Sequence, residues 1–217
     1  TMAEGLTSFE VIKRLNAVEG LSGKADFSPE GSLLPETYHF SLGDSRQKLA
    51  DRMSADMQRA LNLLWMSREA DLPLKSPEEA LILASIVEKE TGVASERDRV
   101  AGVFINRLRR GMKLQSDPTV VYGISLGKRA LGRPLTRTDL KNPTPYNTYT
   151  IDALPPDPIT NPGRAAIEAV LHPARTEELY FVADGSGGHA FAKTLSEHNR
   201  NVARWRKIQR QKSKSAK

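Results

Sequence analysis

A chain of 217 residues with 39% hydrophobic side chains can bury a sizeable core, which excludes disorder as the default and allows one large domain or two small ones. The formal net charge of +6 would suit a polyanion, but eight basic side chains and no acid fall within residues 200 to 217, leaving 24 basic against 26 acidic elsewhere, so the body has no nucleic-acid-binding balance. The chain has no cysteine, which excludes disulfides and thiolate chemistry, and no apolar run approaches the roughly 20 residues that a membrane helix needs.

In chain order, Phe9, Ile12 and Leu15 recur at helical spacing and predict a helix over 8–18, followed by a loop-rich stretch over 28–38. Leu49, Met53, Met57, Ala60 and Leu64 predict an amphipathic helix from about 44 to 68. Ser76-Pro77-Glu78-Glu79 carries the marks of a helix start, with Ser as N-cap, Pro in the first turn and Glu79 closing a capping box; Gly92 is placed to end that helix. A second capping box is expected over 95–98, opening a helix whose stripe of Val100, Val103, Phe104 and Leu108 stops at Gly111. From 113 to 162, eight prolines forbid long helices and most central strands, so a structured loop region is expected, where functional sites tend to lie. A short helix over 161–172 and a strand over 179–183 follow. A glycine-rich turn over 184–188 leads to a partner strand over 189–192, and Thr194 with Glu197 caps a final helix that fades into the basic tail. The predicted class is α+β: a helical region, a loop-rich β part and a C-terminal helix.

Two glutamates end the apolar helix over 76–91. Taking Leu83 as zero and about 100° per residue, Ile86, Val87 and Glu90 fall within roughly 60° of it, whereas Glu88 falls near 140°, outside the stripe. A carboxyl held against apolar neighbours is harder to ionise, which suits a general acid. Position alone fits a structural role as well, with Glu90 pairing Arg97 or Arg99 or capping the next turn.

The segments Glu88-Lys89-Glu90-Thr91-Gly92, Phe104-Ile105-Asn106-Arg107-Leu108, Leu114-Gln115-Ser116-Asp117-Pro118, Pro145-Tyr146-Asn147-Thr148-Tyr149 and Asn161-Pro162-Gly163 closely resemble, in this order, the YceG/MltG family of endolytic murein transglycosylases. Tyr180-Phe181-Val182-Ala183-Asp184-Gly185 with Gly188-His189 extends the resemblance, which covers about residues 28 to 205. It implies that Glu90 is the catalytic residue, and that residues 28–205 form a catalytic domain behind a remnant, over 1–27, of a small LysM-like region, with a basic tail over 206–217. It further implies a bacterial inner-membrane protein whose catalytic part faces the periplasm, held by an N-terminal anchor that precedes this chain. Peptidoglycan strands, and with them peptidoglycan synthases, are the implied partners; no nucleic acid and no cofactor are expected.

Around Glu90, sugar-binding candidates are Gln115, Asp117, Thr119, Tyr122, Tyr146, Asn147, Tyr149 and Asn161; plain alternatives are Asp117 as a turn former before Pro118, Tyr146, Asn147 and Tyr149 as a packed loop, and Asn161 as an N-cap. His39, His172, His189 and His198 lack metal-ligand spacing, so no metal is expected, and Ser186 lacks the context of a nucleophile elbow. The function expected is lytic cleavage of the glycan by one carboxyl. A muramidase with Asp117, Glu88 or Glu36 as second carboxylate, and a non-catalytic peptidoglycan-binding module, are the alternatives.

Overall fold

The structure is a computed structural model that describes residues 1–215, with side chains through Lys212. Helices α1 (Ser8–Asn16), α2 (Arg46–Met66), α3 (Pro77–Glu90) and α4 (Arg97–Arg109) come first. α5 (Asp117–Ser125), α6 (Arg137–Lys141) and α7 (Arg164–Leu171) follow, then the hairpin β1 (Tyr180–Ala183) and β2 (His189–Ala192), and α8 (Leu195–Ser215). The fold is α+β.

The ends of these elements follow local chemistry. Ser76 caps α3 by accepting the Glu79 amide, while the Glu79 carboxylate takes the N–H of Lys75 rather than that of Ser76, so the box does not close. α3 ends because Thr91 turns extended, at φ −142° and ψ 129°, and not at Gly92. The capping box expected over 95–98 does not form: Ala94–Glu96 is a 3-10 turn, and the Asp98 carboxylate accepts the Arg99 amide instead. Thr194 and Glu197 do close theirs. The region 113–162 holds two helices that its prolines obscured: Pro118 stands in the first turn of α5, where an N–H has no intrahelical partner anyway.

α3 is the central helix. Ala80 and Ile82 through Val87 are buried, and α3 packs against α2, α4, α5 and α7. Leu83, Ile86, Val87, Phe104, Ile105, Ile167 and Val170 form one core with them. Each such side chain contributes about 1.5–3 kcal/mol on burial. The hairpin pairs Tyr180 with Ala192 through Ala183 with His189, and lies between α4 and α8. Residues 1–27 pack against α2 through Val11, Leu15, Leu21 and Ala25. Their start is pinned by backbone bonds from Met2 N to Glu36 O and from Gly5 N to Asn161 O, both 3.0 Å.

Candidate functional site

Glu90 is the last residue of α3, where a buried helix opens toward the hairpin. It borders two adjacent cavities of about 300 and 350 Å³, which share Glu90, Ala183 and His189. Its Oε1 accepts from Ser116 Oγ at 2.5 Å. Burial pushes the Glu90 carboxyl above the usual carboxylate range, and nearby Asp117 pushes the same way; the Ser116 hydrogen bond and the neighbouring His189 and Arg107 side chains oppose it. The result is a carboxyl that holds its proton longer than an ordinary glutamate and still reaches open space.

The strand of loop that carries Ser116 is held from two sides. Buried Arg107 on α4 donates Nη1 to Leu114 O and Nε to Leu179 O, both at 2.6 Å, tying this loop to the start of the hairpin. From the other side, Gln115 N reaches Thr148 O at 3.1 Å and Ser116 N reaches Thr148 Oγ1 at 2.9 Å. Gln115 itself sits at φ 51°, a left-handed conformation that costs a non-glycine residue about 1 kcal/mol or more and is found at sites where the surroundings over-determine the chain. Its side chain lines the 300 Å³ cavity.

Asp117 and Tyr149 also line that cavity, with Tyr149 Oη donating to Asp117 Oδ1 at 2.6 Å. Burial and Asp117 hold the Tyr149 phenol up, so it stays a donor. On the other flank His189 is fixed by Glu96, which accepts from the His189 backbone N–H at 3.1 Å and bonds Nδ1 at 3.0 Å.

The structure thus gathers Glu90, Gln115, Asp117 and Tyr149 and leaves the other candidates outside this cavity. Thr119 is fully buried, donating to Ser116 O at 2.7 Å and paired with Thr148 Oγ1. Asn147 is fully buried and donates to the carbonyls of Leu140 and Asn142 while accepting Tyr149 N–H. Asn161 is fully buried and is not an N-cap, since Gly163 caps α7; it accepts Leu33 N–H at 2.8 Å and donates to Leu6 O at 3.0 Å. Tyr122 bonds Glu30 and stacks edge-on against Tyr146, which bonds Asp157. Tyr122 borders instead a third cavity, of about 560 Å³, that meets the Glu90 cavity at Asp117.

A family model described as the YceG-like family matches residues 1–204. The chain belongs to the YceG-like family. It is 39% identical over 172 residues to the endolytic murein transglycosylase of Bacillus subtilis (strain 168), a match covering 79% of this chain and 46% of that protein. It is 34% identical over 206 residues to that of Streptococcus pneumoniae (strain R6), covering 92% of this chain and 37% of that protein. The chain therefore spans less than half the length of these curated relatives. The crystal structure of a YceG-like protein from Listeria monocytogenes superposes with a TM-score of 0.72 at 28% identity, over 92% of this chain and 74% of that one.

In this YceG-like chain the residues that sequence reasoning passed over are Ser116, Arg107, His189 and Glu96. Ser116 and Arg107 lay inside motifs already singled out and carried a signal: a serine and an arginine in otherwise apolar or turn-forming runs. The Glu96–His189 pair joins residues 93 apart in sequence and had none. Among the described residues no cluster of three or more His, Asp or Glu side chains is arranged to hold a metal ion, and no helix is long and apolar enough to cross a membrane.

Proposed function

We propose that the chain is the catalytic part of a peptidoglycan lytic transglycosylase, with Glu90 as acid and then base. The observation that carries this reading is the Glu90 carboxyl, raised by burial, bonded by the Ser116 hydroxyl and opening onto two adjacent cavities. Membership of a family whose named relatives are endolytic murein transglycosylases supports it. Glu90 donates its proton to the oxygen between N-acetylmuramic acid and N-acetylglucosamine as that bond breaks. The resulting carboxylate takes the proton of the muramyl C6 hydroxyl, whose oxygen closes on C1. A 1,6-anhydro ring forms, no water is consumed, and Glu90 ends protonated as it began. Asp117 and Tyr149 bind or orient sugar hydroxyls beside it. In the cell the protein would act on nascent strands near synthases, on the periplasmic face of the inner membrane.

Asp117 is the other carboxylate of the Glu90 cavity and favours a muramidase as the second reading. Glu88 and Glu36 do not support it: Glu88 accepts the Gly163 amide at 3.0 Å and Glu36 lies against Arg164 at 3.5 Å. Digestion of purified sacculi in isotopically labelled water separates the two. Anhydro-ended fragments free of label are expected; label at the new muramyl C1 would establish hydrolysis, and intact sacculi at high enzyme concentration would favour a binding module.

A further inference from the structure

The second cavity beside Glu90, of about 350 Å³, is walled by the C-terminal helix. The basic residues of 200–217 read in sequence as a solvated tail, yet α8 lies directly on the hairpin turn. Gly185 sits at φ 94°, and a β-carbon there would meet Ile208 at 3.0 Å and the Trp205 ring at 3.4 Å. Lys212 Nζ donates to Gly185 O at 3.0 Å. Trp205 and Lys212 thereby share the lining with Glu90 and His189, while Gly185, Gly187 and Gly188 leave bare backbone between them. The last residues of the tail lie outside the described side chains.

These groups have a joint chemistry. A half-buried indole offers a flat apolar face to the C–H face of a pyranose, and side-chain-free glycines let the ring approach. An ammonium has three donors, of which the Gly185 carbonyl takes one, and Lys212 forms no ion pair among the described residues. Peptidoglycan alternates a neutral sugar with one that carries acidic groups, so a strand can lie across an acid in two registers. Lys212 on one flank of the acid and the Asp117 carboxylate on the other, where buried Arg107 donates to the Leu114 and Leu179 carbonyls, distinguish them.

We propose that this cavity is the muramyl subsite, with the sugar against Trp205 and a carboxylate of its substituent on Lys212, and that it sets the register of the cut. The proposal rests on the reading of Glu90 as the acid of glycan cleavage, but its test does not. In the 217-residue chain carrying Glu90→Gln and Trp65→Phe, Trp205 fluorescence reports binding without turnover. Muramyl-containing oligosaccharides should bind about threefold to fivefold tighter than chitooligosaccharides of equal length, with the difference shrinking as salt rises. Lys212→Ala should abolish the difference and Lys212→Arg should restore it, while Trp205→Ala, followed by titration calorimetry because it removes the fluorescent reporter, should weaken both ligands about tenfold. Peptide-free and peptide-bearing muramyl strands separate the lactyl from the stem-peptide carboxylate as the group bound. With Glu90 intact, Lys212→Ala should raise KM by the same factor and leave kcat within about twofold. Equal affinity for neutral and muramyl ligands, or an unchanged Lys212→Ala protein, overturns the subsite. Preferential muramyl binding by a wild-type protein that cuts nothing would leave the subsite standing and overturn the lytic reading instead.

Discussion

Glu88 and Glu90 lie two residues apart on α3, both half-buried, and burial raises both carboxyls. Their partners separate them. Glu88 accepts the amide of Gly163, the N-cap of α7, a structural bond at the positive end of a helix; Glu90 meets the Ser116 hydroxyl and open space. Glu88→Gln, which can still accept from Gly163, should keep most glycan cleavage, whereas Glu90→Gln should abolish it. A group whose folded pKa is raised stabilises fully below its unfolded value near 4.5 and loses that stability as pH rises through the folded value. At neutral pH, where the unfolded chain carries this carboxyl ionised, its burial is therefore a cost. Glu90→Gln should raise the melting temperature by about 2 °C or more at pH 7.5, a gain that fades as pH falls through the unfolded value; calorimetry across this range checks it. Ser116→Ala removes the bond that favours the charged carboxylate. The Glu90 pKa should climb further, and the alkaline limb of the pH–rate profile should move to higher pH with it.

At the level of elements, the segment 113–162 is held by buried side-chain amides rather than by a sheet. Asn161 joins the Leu6 carbonyl to the Leu33 amide across 155 and 128 residues of sequence, inside a core with no exposure. Asn161→Ala would strand the buried Leu33 amide, while Leu6 O keeps the backbone N–H of residue 161 at 2.9 Å, and a loss of about 1–3 kcal/mol is expected in urea unfolding. Gly102 works differently: on α4, a β-carbon there would lie 2.6 Å from Ala174 O, backbone that cannot swing aside. Gly102→Ala should cost about 2 kcal/mol by pushing α4 off the segment leading to the hairpin. A variant with undiminished stability would mean that this segment yields.

For the molecule as a whole, the C-terminal helix changes from an appendage to a wall. A solvated basic tail would predict that removal of residues 207–217 leaves cleavage of small substrates unchanged. Because that deletion takes Ile208 and Lys212 off the hairpin turn, the structure predicts a lower melting temperature and at least a several-fold loss of kcat/KM on short glycans. Truncation after Arg206, followed by melting and single-substrate kinetics, decides between the two. An unchanged enzyme would show that the turn holds its shape without the helix.

By itself the sequence determined the α+β class, the order of the main helices, the hairpin and the placing of Glu90 on an apolar helix face, because these rest on periodicity and caps that act within a few residues. It also held the motifs that resemble the family. What only the tertiary structure decided concerns groups brought together from afar. α3 is buried on several sides, so the wheel that set Glu88 outside the stripe could not see the N-terminal segment and α7 packed there. Thr119, Asn147 and Asn161 carry the same donors and acceptors whether they face a sugar or a backbone carbonyl, and burial alone assigns them to the backbone. α5 hid behind Pro118, because a proline breaks a helix or begins one according to the register of the first turn. The Glu96–His189 pair and the Trp205–Lys212 wall join elements separate in sequence, and no local pattern encodes a contact whose partners are set by how α4, the hairpin and α8 dock.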